Sequence, residues 1–388
     1  NNNSGQVGDG TYVNNRLTPV AVSGLSSGVQ AIAVGGSHSC ALTSTGAVKC
    51  WGSNYYGQLG DGTTTNRLTP VTVSGLGSGV QAITAGGYHS CALTTAGAVQ
   101  CWGQNNYGQM GDGTSGYDLK RLTPVAVSGL SSGVQAIAAG GYFHNCALTT
   151  AGAVLCWGNN IGGSLGDGTN TDRLTPVAVS GLSNGVQAIA TGGRHSCALM
   201  STGGVQCWGS NISGQLGDGT TTNRSTPVAV SGLSGAVLAI DLGNNSFSCA
   251  LMINDGVQCW GSNQYGQLGD GTTINRLTPT AVKAGQNITV TTAAPALGVI
   301  GESFPVAATS SSGLPVAITT SGGCSINGNI VTMISSVPFC AVSYNQVGNA
   351  EYVAAPTVVS ITSVDTDNDG MPDATDTDDD GDSIEDNI

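Results

Sequence analysis

The sequence predicts an all-β protein built from a repeated four-stranded unit, the β-propeller blade. Glycine accounts for 61 of 388 residues, 39% of residues are hydrophobic and only 12 are proline. This composition favours many short strands joined by glycine turns over disorder. Tryptophan recurs within a Cys-Trp-Gly motif at positions 51, 102, 157, 208 and 260, and a repeat of roughly 50 residues is typical of propeller blades.

Each repeat contains four segments with strand-like patterning. In the first complete repeat they read GVQAIAV, SCALT, AVKCWG and TPVTV, which supplies the four strands of one blade. Ser44, Thr45 and Gly46 can form a three-residue hairpin loop with Gly46 in the left-handed conformation, which places Cys40 opposite Cys50. Directly opposed strand residues lie within disulfide distance, so the spacing predicts a cross-strand disulfide in each blade.

The twelve cysteines form six regular pairs. They are Cys40 with Cys50, Cys91 with Cys101, Cys146 with Cys156, Cys197 with Cys207, Cys249 with Cys259, and Cys324 with Cys340. Paired cysteines in a chain with 9% charged residues favour an oxidising compartment, so we expect a secreted, periplasmic or cell-surface protein. A zinc site at the recurring His-x-Cys motif is the weaker interpretation, because Phe247 replaces the fifth histidine and the sequence has no CxxC pair.

Three motifs recur in order five times, with small variations. In the first repeat they are HSCAL at 38–42, CWG at 50–52 and GQLGDG at 57–62. They resemble the repeats of the regulator of chromosome condensation family, and this resemblance over residues 1–285 implies a β-propeller, typically of seven blades. The chain has six GDG turns but five Cys-Trp hairpins, and NNNSGQVGDG at 1–10 aligns with SNISGQLGDG at 210–219. We therefore expect the ring to be incomplete within this sequence.

A different β pattern occupies residues 286–364. Its short alternating strands, SSSGLP turn and cysteine pair resemble the Ig-like modules of bacterial surface proteins. This resemblance implies a β-sandwich with a Cys324–Cys340 bridge, and it points to a bacterial protein.

The acidic segment 365–388 contains eleven acids and no base, whereas the rest of the chain has a net charge of -2. DTDNDGMPDATD places acids at loop positions one, three, five, nine and twelve, with Gly370 at position six, which suits calcium and its oxygen ligands. The predicted ligands are Asp365, Asp367, Asp369, the Met371 carbonyl, Asp373 and Asp376, and in a second register Asp378, Asp380, Asp382, the Ile384 carbonyl and Asp386. The pattern resembles thrombospondin type 3 calcium repeats, and a solvated acidic tail without metal is the alternative.

Residue patterns that suggest catalysis recur through the chain, and we interpret them as structural. The GDG aspartates each precede an arginine, and GLSSG at 24–28 matches the letters of a nucleophile elbow but returns at 129–133 without a helix pattern. An active site needs a locally unique arrangement of groups. We therefore expect no enzyme, and we expect the five tryptophans to serve blade packing.

The sequence favours a non-catalytic protein of the extracellular space or cell surface of a bacterium. The expected role is adhesion, recognition or extracellular assembly, with a protein, a surface glycan or other copies of the chain as partner. The alternative is a secreted enzyme inhibitor that binds through propeller loops. Candidate partner-binding residues are Tyr55, Tyr56, Tyr107, Tyr117 and Tyr265, which lie between Trp-Gly and the GDG turn or just after that turn.

Two further partner classes are disfavoured by the sequence. Only three residues are lysine, whereas nucleic-acid binding needs basic side chains that displace counterions from phosphate. No apolar run approaches the roughly 18 residues that a transmembrane helix requires.

Overall fold

A computed structural model describes residues 2–12, 15–141, 143–253, 256–337, 339–366 and 371–372. These residues form short β-strands and one 3-10 helix, Ile161–Gly163, which confirms the all-β prediction. The chain divides into two compact units, one of Asn1–Leu268 with Thr272–Val282 and one of Gly269–Gly271 with Lys283–Ile388. No helix among the described residues is long and apolar enough to cross a membrane.

Five antiparallel four-stranded sheets, blades 1 to 5, form the first unit. Blade 1 contains β1 (Val29–Val34), β2 (His38–Thr43), β3 (Val48–Gly52) and β4 (Arg67–Thr72). Blade 2 contains β5 (Val80–Ala85), β6 (His89–Thr94), β7 (Val99–Gln104) and β8 (Lys120–Ala126). Blade 3 contains β9 (Val134–Ala139), β10 (His144–Thr149), β11 (Val154–Gly158) and β12 (Arg173–Ala178). Blade 4 contains β13 (Val186–Thr191), β14 (His195–Met200), β15 (Val205–Gly209) and β16 (Arg224–Ala229). Blade 5 contains β17 (Val237–Gly243), β18 (Phe247–Met252), β19 (Val257–Gly261) and β20 (Arg276–Ala281).

The hairpin between the second and third strands of each blade carries a disulfide. In blade 1, Cys40 faces Cys50 across the ladder, and their Cα atoms are 4.1 Å apart. Gly46 closes the loop with φ 78°, as the three-residue turn requires. The same cross-strand bond joins Cys91 to Cys101 in blade 2, Cys146 to Cys156 in blade 3, Cys197 to Cys207 in blade 4 and Cys249 to Cys259 in blade 5. Every blade of this unit is therefore disulfide-stapled, with the pairing that the spacing of ten residues predicts.

Neighbouring blades meet through a core that joins a disulfide to a tryptophan. Trp102 shares a buried cluster with Cys40 and Cys50 of blade 1, and Trp157 shares one with Cys91 and Cys101 of blade 2. The same packing recurs at the next two interfaces, where Trp208 shares a cluster with Cys146 and Cys156, and Trp260 shares one with Cys197 and Cys207. Each of these disulfides therefore closes a hairpin and also forms part of the interface with the following blade.

The tryptophan of blade 1, Trp51, has different packing partners. The Trp51 indole N–H donates to the carbonyl of Gln6, 3.0 Å away, in the segment that precedes the blade. A cavity of about 400 Å³ remains beside Trp51, and β1 residues Ile32 and Val34 are 70% and 67% exposed. This face of blade 1 is thus partly open in the chain.

The second unit has three small sheets. Its strands are β21 (Ile288–Thr292), β22 (Leu297–Gly298), β23 (Ser303–Pro305), β24 (Ala307–Ser310), β25 (Ala317–Gly322), β26 (Cys324–Asn327), β27 (Ile330–Met333), β28 (Phe339–Asn345) and β29 (Val358–Val364). They pair in the orders β21-β24, β22-β29-β28-β25 and β23-β27-β26. The Cys324–Cys340 disulfide lies in a shared core with Val342 and Tyr344. The Ig-like sandwich itself stays a prediction.

Candidate recognition face

The loops on one face of the first unit are anchored by the Gly-Gln-Leu-Gly turns. The Gln58 carbonyl accepts hydrogen bonds from the Trp102 indole at 2.9 Å and the Ser90 hydroxyl at 3.0 Å, both in the next blade. The Gln58 side-chain oxygen accepts from the backbone N–H of Tyr56 at 2.9 Å. Equivalent carbonyls at Gln6, Gln109, Ser164 and Gln215 accept from the following tryptophan. The loops that follow Trp51, Trp102, Trp157 and Trp208 are therefore each fixed to the next blade.

The aspartates of the GDG turns form hydrogen bonds within the same loops. Asp61 accepts hydrogen bonds from Asn54 at 3.0 Å, Thr63 at 2.7 Å and Arg67 at 2.8 Å. Burial raises the pKa of Asp61, but the hydrogen bonds from Thr63 and Arg67 outweigh burial and the net pKa is lowered. Asp112, Asp167 and Asp218 make the same contacts with Arg121, Arg173 and Arg224. This repetition agrees with a structural role for these pairs.

Four buried histidines connect neighbouring blades. His38 Nε2 lies 2.8 Å from the Ser90 hydroxyl, and this hydroxyl already donates to the Gln58 carbonyl, so the histidine donates from Nε2. The remaining pairs are His89–Asn145, His144–Ser196 and His195–Ser248. Burial lowers the pKa to about 3 for His38 and His144 and to about 4 for His89 and His195. Because the nearby cysteine sulfurs are bonded to one another, these histidines are packing residues and no zinc pair forms.

Each histidine ring packs directly on a glycine. A Cβ atom at Gly35 would collide with Cε1 of His38 and would lie 2.5 Å from the Gly86 carbonyl oxygen of the next blade. Gly243 receives the ring of Phe247 in the same way in blade 5. The glycine before each histidine strand is therefore required by the close approach of ring and backbone.

Five aromatic rings form a continuous aromatic cluster. Tyr55, Tyr56 and Tyr107 lie on the anchored loops, and Tyr88 and Phe143 lie on the loops before β6 and β10. Ring centroids are 4.8 Å apart for Tyr55–Tyr56, 5.1 Å for Tyr56–Tyr88, 6.0 Å for Tyr88–Phe143 and 5.3 Å for Tyr107–Phe143. Tyr55, Tyr88 and Tyr107 are exposed. The cluster spans the loops of blades 1, 2 and 3, and tyrosine is one of the residue types enriched at protein-binding hot spots.

A charged pair and two unusual backbone conformations occur in or beside the aromatic cluster. The Lys120 ammonium lies 4.8 Å from the Tyr55 ring centroid and 3.3 Å from the Asp118 carboxylate. Burial, followed by the neighbouring Tyr88 and Tyr55, raises the pKa of Tyr56. Phe143 and Asp118 have φ values of 74° and 58°, which are unfavourable for residues other than glycine. Such outliers cluster at functional sites and point to a functional role for this surface.

The structure brings together three of the five predicted tyrosines. Tyr55, Tyr56 and Tyr107 belong to the aromatic cluster, whereas Tyr117 and Tyr265 are 99% and 86% exposed and have no ring contact within the described residues. Tyr88 and Phe143 are further members of the cluster that the sequence pattern did not predict. Their signal is the aromatic residue between Gly-Gly and the histidine strand, where blade 1 has Ser37 and blade 4 has Arg194.

Most of the predicted calcium site lies outside the described residues. Of its ligands only Asp365, which is buried, and Met371, which is exposed, are described. The others are Asp367, Asp369, Asp373, Asp376, Asp378, Asp380, Asp382, Ile384 and Asp386. No group of three or more His, Cys, Asp or Glu suited to a metal occurs in the described part of the chain.

The repeated sheets, interblade cores and loop face define a disulfide-stapled β-propeller repeat protein. The RCC1-like domain family matches residues 1–311, and the chain belongs to that family. It is 32% identical over 284 residues to the Ultraviolet-B receptor UVR8 of Arabidopsis thaliana, a match that covers 72% of this chain and 63% of the receptor. It is 37% identical over 205 residues to the human probable E3 ubiquitin-protein ligase HERC4, covering 52% of this chain and 19% of that protein. The chain therefore spans less than two thirds of the length of these relatives.

Two solved structures share the fold. Human WBSCR16 aligns with a TM-score of 0.59 and 26% identity, over 66% of this chain and 67% of that one. Yeast RCC1 (Prp20), solved bound to Kap60, aligns with a TM-score of 0.58 and 23% identity, over 66% and 61% of the two chains. The yeast comparison supports the propeller architecture.

Proposed function

We propose that this protein is a non-catalytic recognition module that binds a protein partner through the aromatic cluster. The observation that carries the proposal is the row of five contacting rings, three of which, Tyr55, Tyr56 and Tyr107, lie on loops fixed by interblade hydrogen bonds. Aromatic anchors on a rigid surface give a large contact area at a low entropic cost, and such residues dominate measured hot spots. Loops held by a rigid scaffold are also where binding residues concentrate.

The arrangement of the rings favours a protein over a sugar at the aromatic cluster. Phe143 lies between Tyr88 and Tyr107 with interplanar angles of 22° and 26°, so neighbouring rings cover its faces. Lys120 covers one face of Tyr55. The exposed members Tyr55, Tyr88 and Tyr107 combine apolar ring surface with hydroxyl groups, which suits the side chains and backbone of a protein partner. Yeast RCC1 (Prp20), which shares this fold, has been solved with a bound protein, Kap60.

We propose that the protein acts outside the bacterial cell or at its surface, in adhesion, recognition or extracellular assembly. The support is the presence of six disulfides, which persist in oxidising compartments, together with the resemblance of residues 286–364 to bacterial Ig-like modules. In this proposal the Ig-like β-sandwich is a spacer that displays the propeller.

The aromatic cluster also supports a second candidate function, a secreted enzyme inhibitor. Clustering of loop tyrosines on one face is the feature that an inhibitory surface would need, and Tyr55, Tyr56 and Tyr107 show it. Assays of trypsin, subtilisin and lysozyme with the full chain test this function. Inhibition that Tyr88→Ala abolishes would favour the inhibitor over the adhesion role.

Adhesion through the aromatic cluster is tested with microspheres that carry the full chain. We expect them to adhere to cells of the bacterium that encodes the protein, or to fibronectin or collagen, and we expect Tyr88→Ala with Phe143→Ala to lower the affinity at least tenfold, since hot-spot truncation costs about 2 kcal/mol or more. Tyr117→Ala is the matched control, because that tyrosine is exposed outside the cluster. Equal adhesion of the double variant and the wild type would contradict the proposal.

We further propose that residues 365–388 bind calcium and stiffen the segment. The support is the alternate-Asp spacing of DTDNDGMPDATD in the sequence, because alternate carboxylates can surround a hard cation while a glycine permits the turn. We expect calorimetry on the full chain to show calcium binding with a Kd on the order of 10⁻⁴–10⁻³ M, as in extracellular modules. Asp367→Ala and Asp369→Ala should weaken it. If millimolar calcium gives no binding heat, the solvated acidic tail is the correct interpretation.

A further inference from the structure

A second concave site lies on the loops of blades 4 and 5. It is a cleft of about 380 Å³ whose walls come from the loop before β14, the loop after β15, the loop before β18 and the loop after β19. This volume falls in the range of roughly 300–1,000 Å³ that small-ligand pockets occupy. The loops that carry tyrosine and phenylalanine in blades 1 to 3 carry mostly amide and hydroxyl side chains here.

The cleft is lined by planar amides, hydroxyls and one open aromatic ring, together with the side chains of Arg194 and Ile212. Asn245, Gln264 and Gln267 supply amides, Ser246 and Ser262 supply hydroxyls, and Tyr265 supplies the ring. Amides and hydroxyls each offer both donors and acceptors. Tyr265 is 86% exposed, so its faces are accessible, unlike those of Phe143 in the aromatic cluster.

The walls of the cleft are fixed by hydrogen bonds. The Ser262 N–H donates to the Ser246 carbonyl at 2.9 Å, and Gln267 Nε2 donates to the Ser262 hydroxyl at 3.2 Å. The Gln267 side-chain oxygen accepts from the Tyr265 N–H at 3.0 Å. These contacts set the positions of the Ser262 and Gln267 side chains before any ligand arrives, which lowers the entropic cost of binding.

Backbone conformation provides an independent observation. Ser246 has φ 62°, a left-handed conformation that costs a non-glycine residue free energy and that concentrates at ligand-binding positions. Asp118, Phe143 and Ser246 are the non-glycine residues with positive φ in the described part of the chain. Two of them belong to the aromatic cluster region, and Ser246 lines the cleft.

We propose that this cleft binds one sugar ring of a carbohydrate. Sugar hydroxyls are simultaneous donors and acceptors that match amide and serine side chains, and the C–H face of a sugar ring packs against an open aromatic face such as that of Tyr265. No carboxylate lines the cleft among the described residues, so acidic and neutral sugars can both approach it. The site is separate from the aromatic cluster, and the two can be tested independently.

The test is saturation-transfer NMR of the full chain with glucose, galactose, mannose, N-acetylglucosamine and glucuronic acid. We expect at least one sugar to bind saturably in the millimolar range, and we expect Tyr265→Ala and Gln264→Ala each to weaken it about tenfold or more. Both side chains are exposed, so thermal unfolding should stay at the wild-type temperature.

Two matched controls separate this site from the rest of the face. Tyr117→Ala removes another exposed tyrosine, and Tyr88→Ala alters the aromatic cluster, and neither should change sugar binding. Loss of partner adhesion in Tyr88→Ala with intact sugar binding would show that the two sites are distinct. The proposal is overturned if no sugar in the panel binds saturably, or if the Tyr265 and Gln264 variants bind as the wild type does.

Discussion

Acidification from pH 7 to pH 5 is expected to destabilise the propeller strongly. His38, His89, His144 and His195 are at most 1% exposed, and burial lowers their pKa from 6.5 to about 3 or 4. Because the folded-state pKa is lowered, the unfolded chain takes up protons first as the pH falls. The stability that neutral histidines contribute is therefore complete above pH 6.5 and is lost progressively below it.

The size of this effect follows from linkage. Each buried histidine lowers the free energy of unfolding by about 1.4 kcal/mol per pH unit below 6.5, so four of them give a loss on the order of 8 kcal/mol at pH 5 as an upper limit.

The aspartates affect stability over a separate, lower pH range. Hydrogen bonds lower the pKa of Asp61 below its ordinary value of 3.8, so its contribution is present above pH 3.8 and is lost only as the pH falls through the folded-state pKa.

Urea unfolding of the full chain at pH 7, 6 and 5 measures the acid effect, and His144→Phe provides the matched variant. Blade 5 has Phe247 at the equivalent position, packed on Gly243, so the blade accommodates this side chain. We expect His144→Phe to reduce the pH dependence of the free energy of unfolding by about 1.4 kcal/mol per pH unit, which is the contribution of one proton taken up on unfolding. An unchanged slope would show that His144 is already protonated or exposed in the folded state.

Local spacing was sufficient to predict the blade. The three-residue turn at Gly46 fixed the Cys40–Cys50 register, because hairpin geometry depends on only a few neighbouring residues. The Asp61–Arg67 pair could likewise be inferred, because a GDG aspartate is followed by an arginine in every repeat. These features are determined by residues within one repeat, so the repeated sequence pattern is sufficient to predict them.

The recognition surfaces depend on contacts between repeats, and spacing within a repeat does not predict them. Tyr56 meets Tyr88 because the loop after β3 lies beside the loop before β6 in the next blade. The positions of Tyr117 and Tyr265 near the GDG turn predict a surface shared with the other tyrosines, whereas in the structure Tyr265 lines the cleft of blades 4 and 5 and Tyr117 is exposed outside the cluster. To predict the polar cleft, one would need the relative positions of four loops, and the sequence pattern does not give these positions.

Replacement of Trp157 by alanine is expected to cost about 3–5 kcal/mol of unfolding free energy, as for other large core side chains. Trp157 is fully buried against the Cys91–Cys101 disulfide of the preceding blade, and its indole donates to the Gln109 carbonyl at 3.0 Å. The substitution therefore leaves a cavity in an interblade core and also removes one of the two donors to that carbonyl.

Trp51→Ala is the matched control for Trp157→Ala, because both residues occupy the same position in their blades. Trp51 donates the same type of hydrogen bond, to Gln6, but it packs beside a cavity of about 400 Å³ instead of a disulfide of a preceding blade. Its loss should therefore cost less, and urea unfolding of both variants at pH 7 measures the difference. In a repeat protein, stability is approximately a sum of blade terms and neighbour-interface terms, so this difference reports the interface contribution of the disulfide–tryptophan core. Equal losses would mean that the tryptophan acts mainly within its own blade.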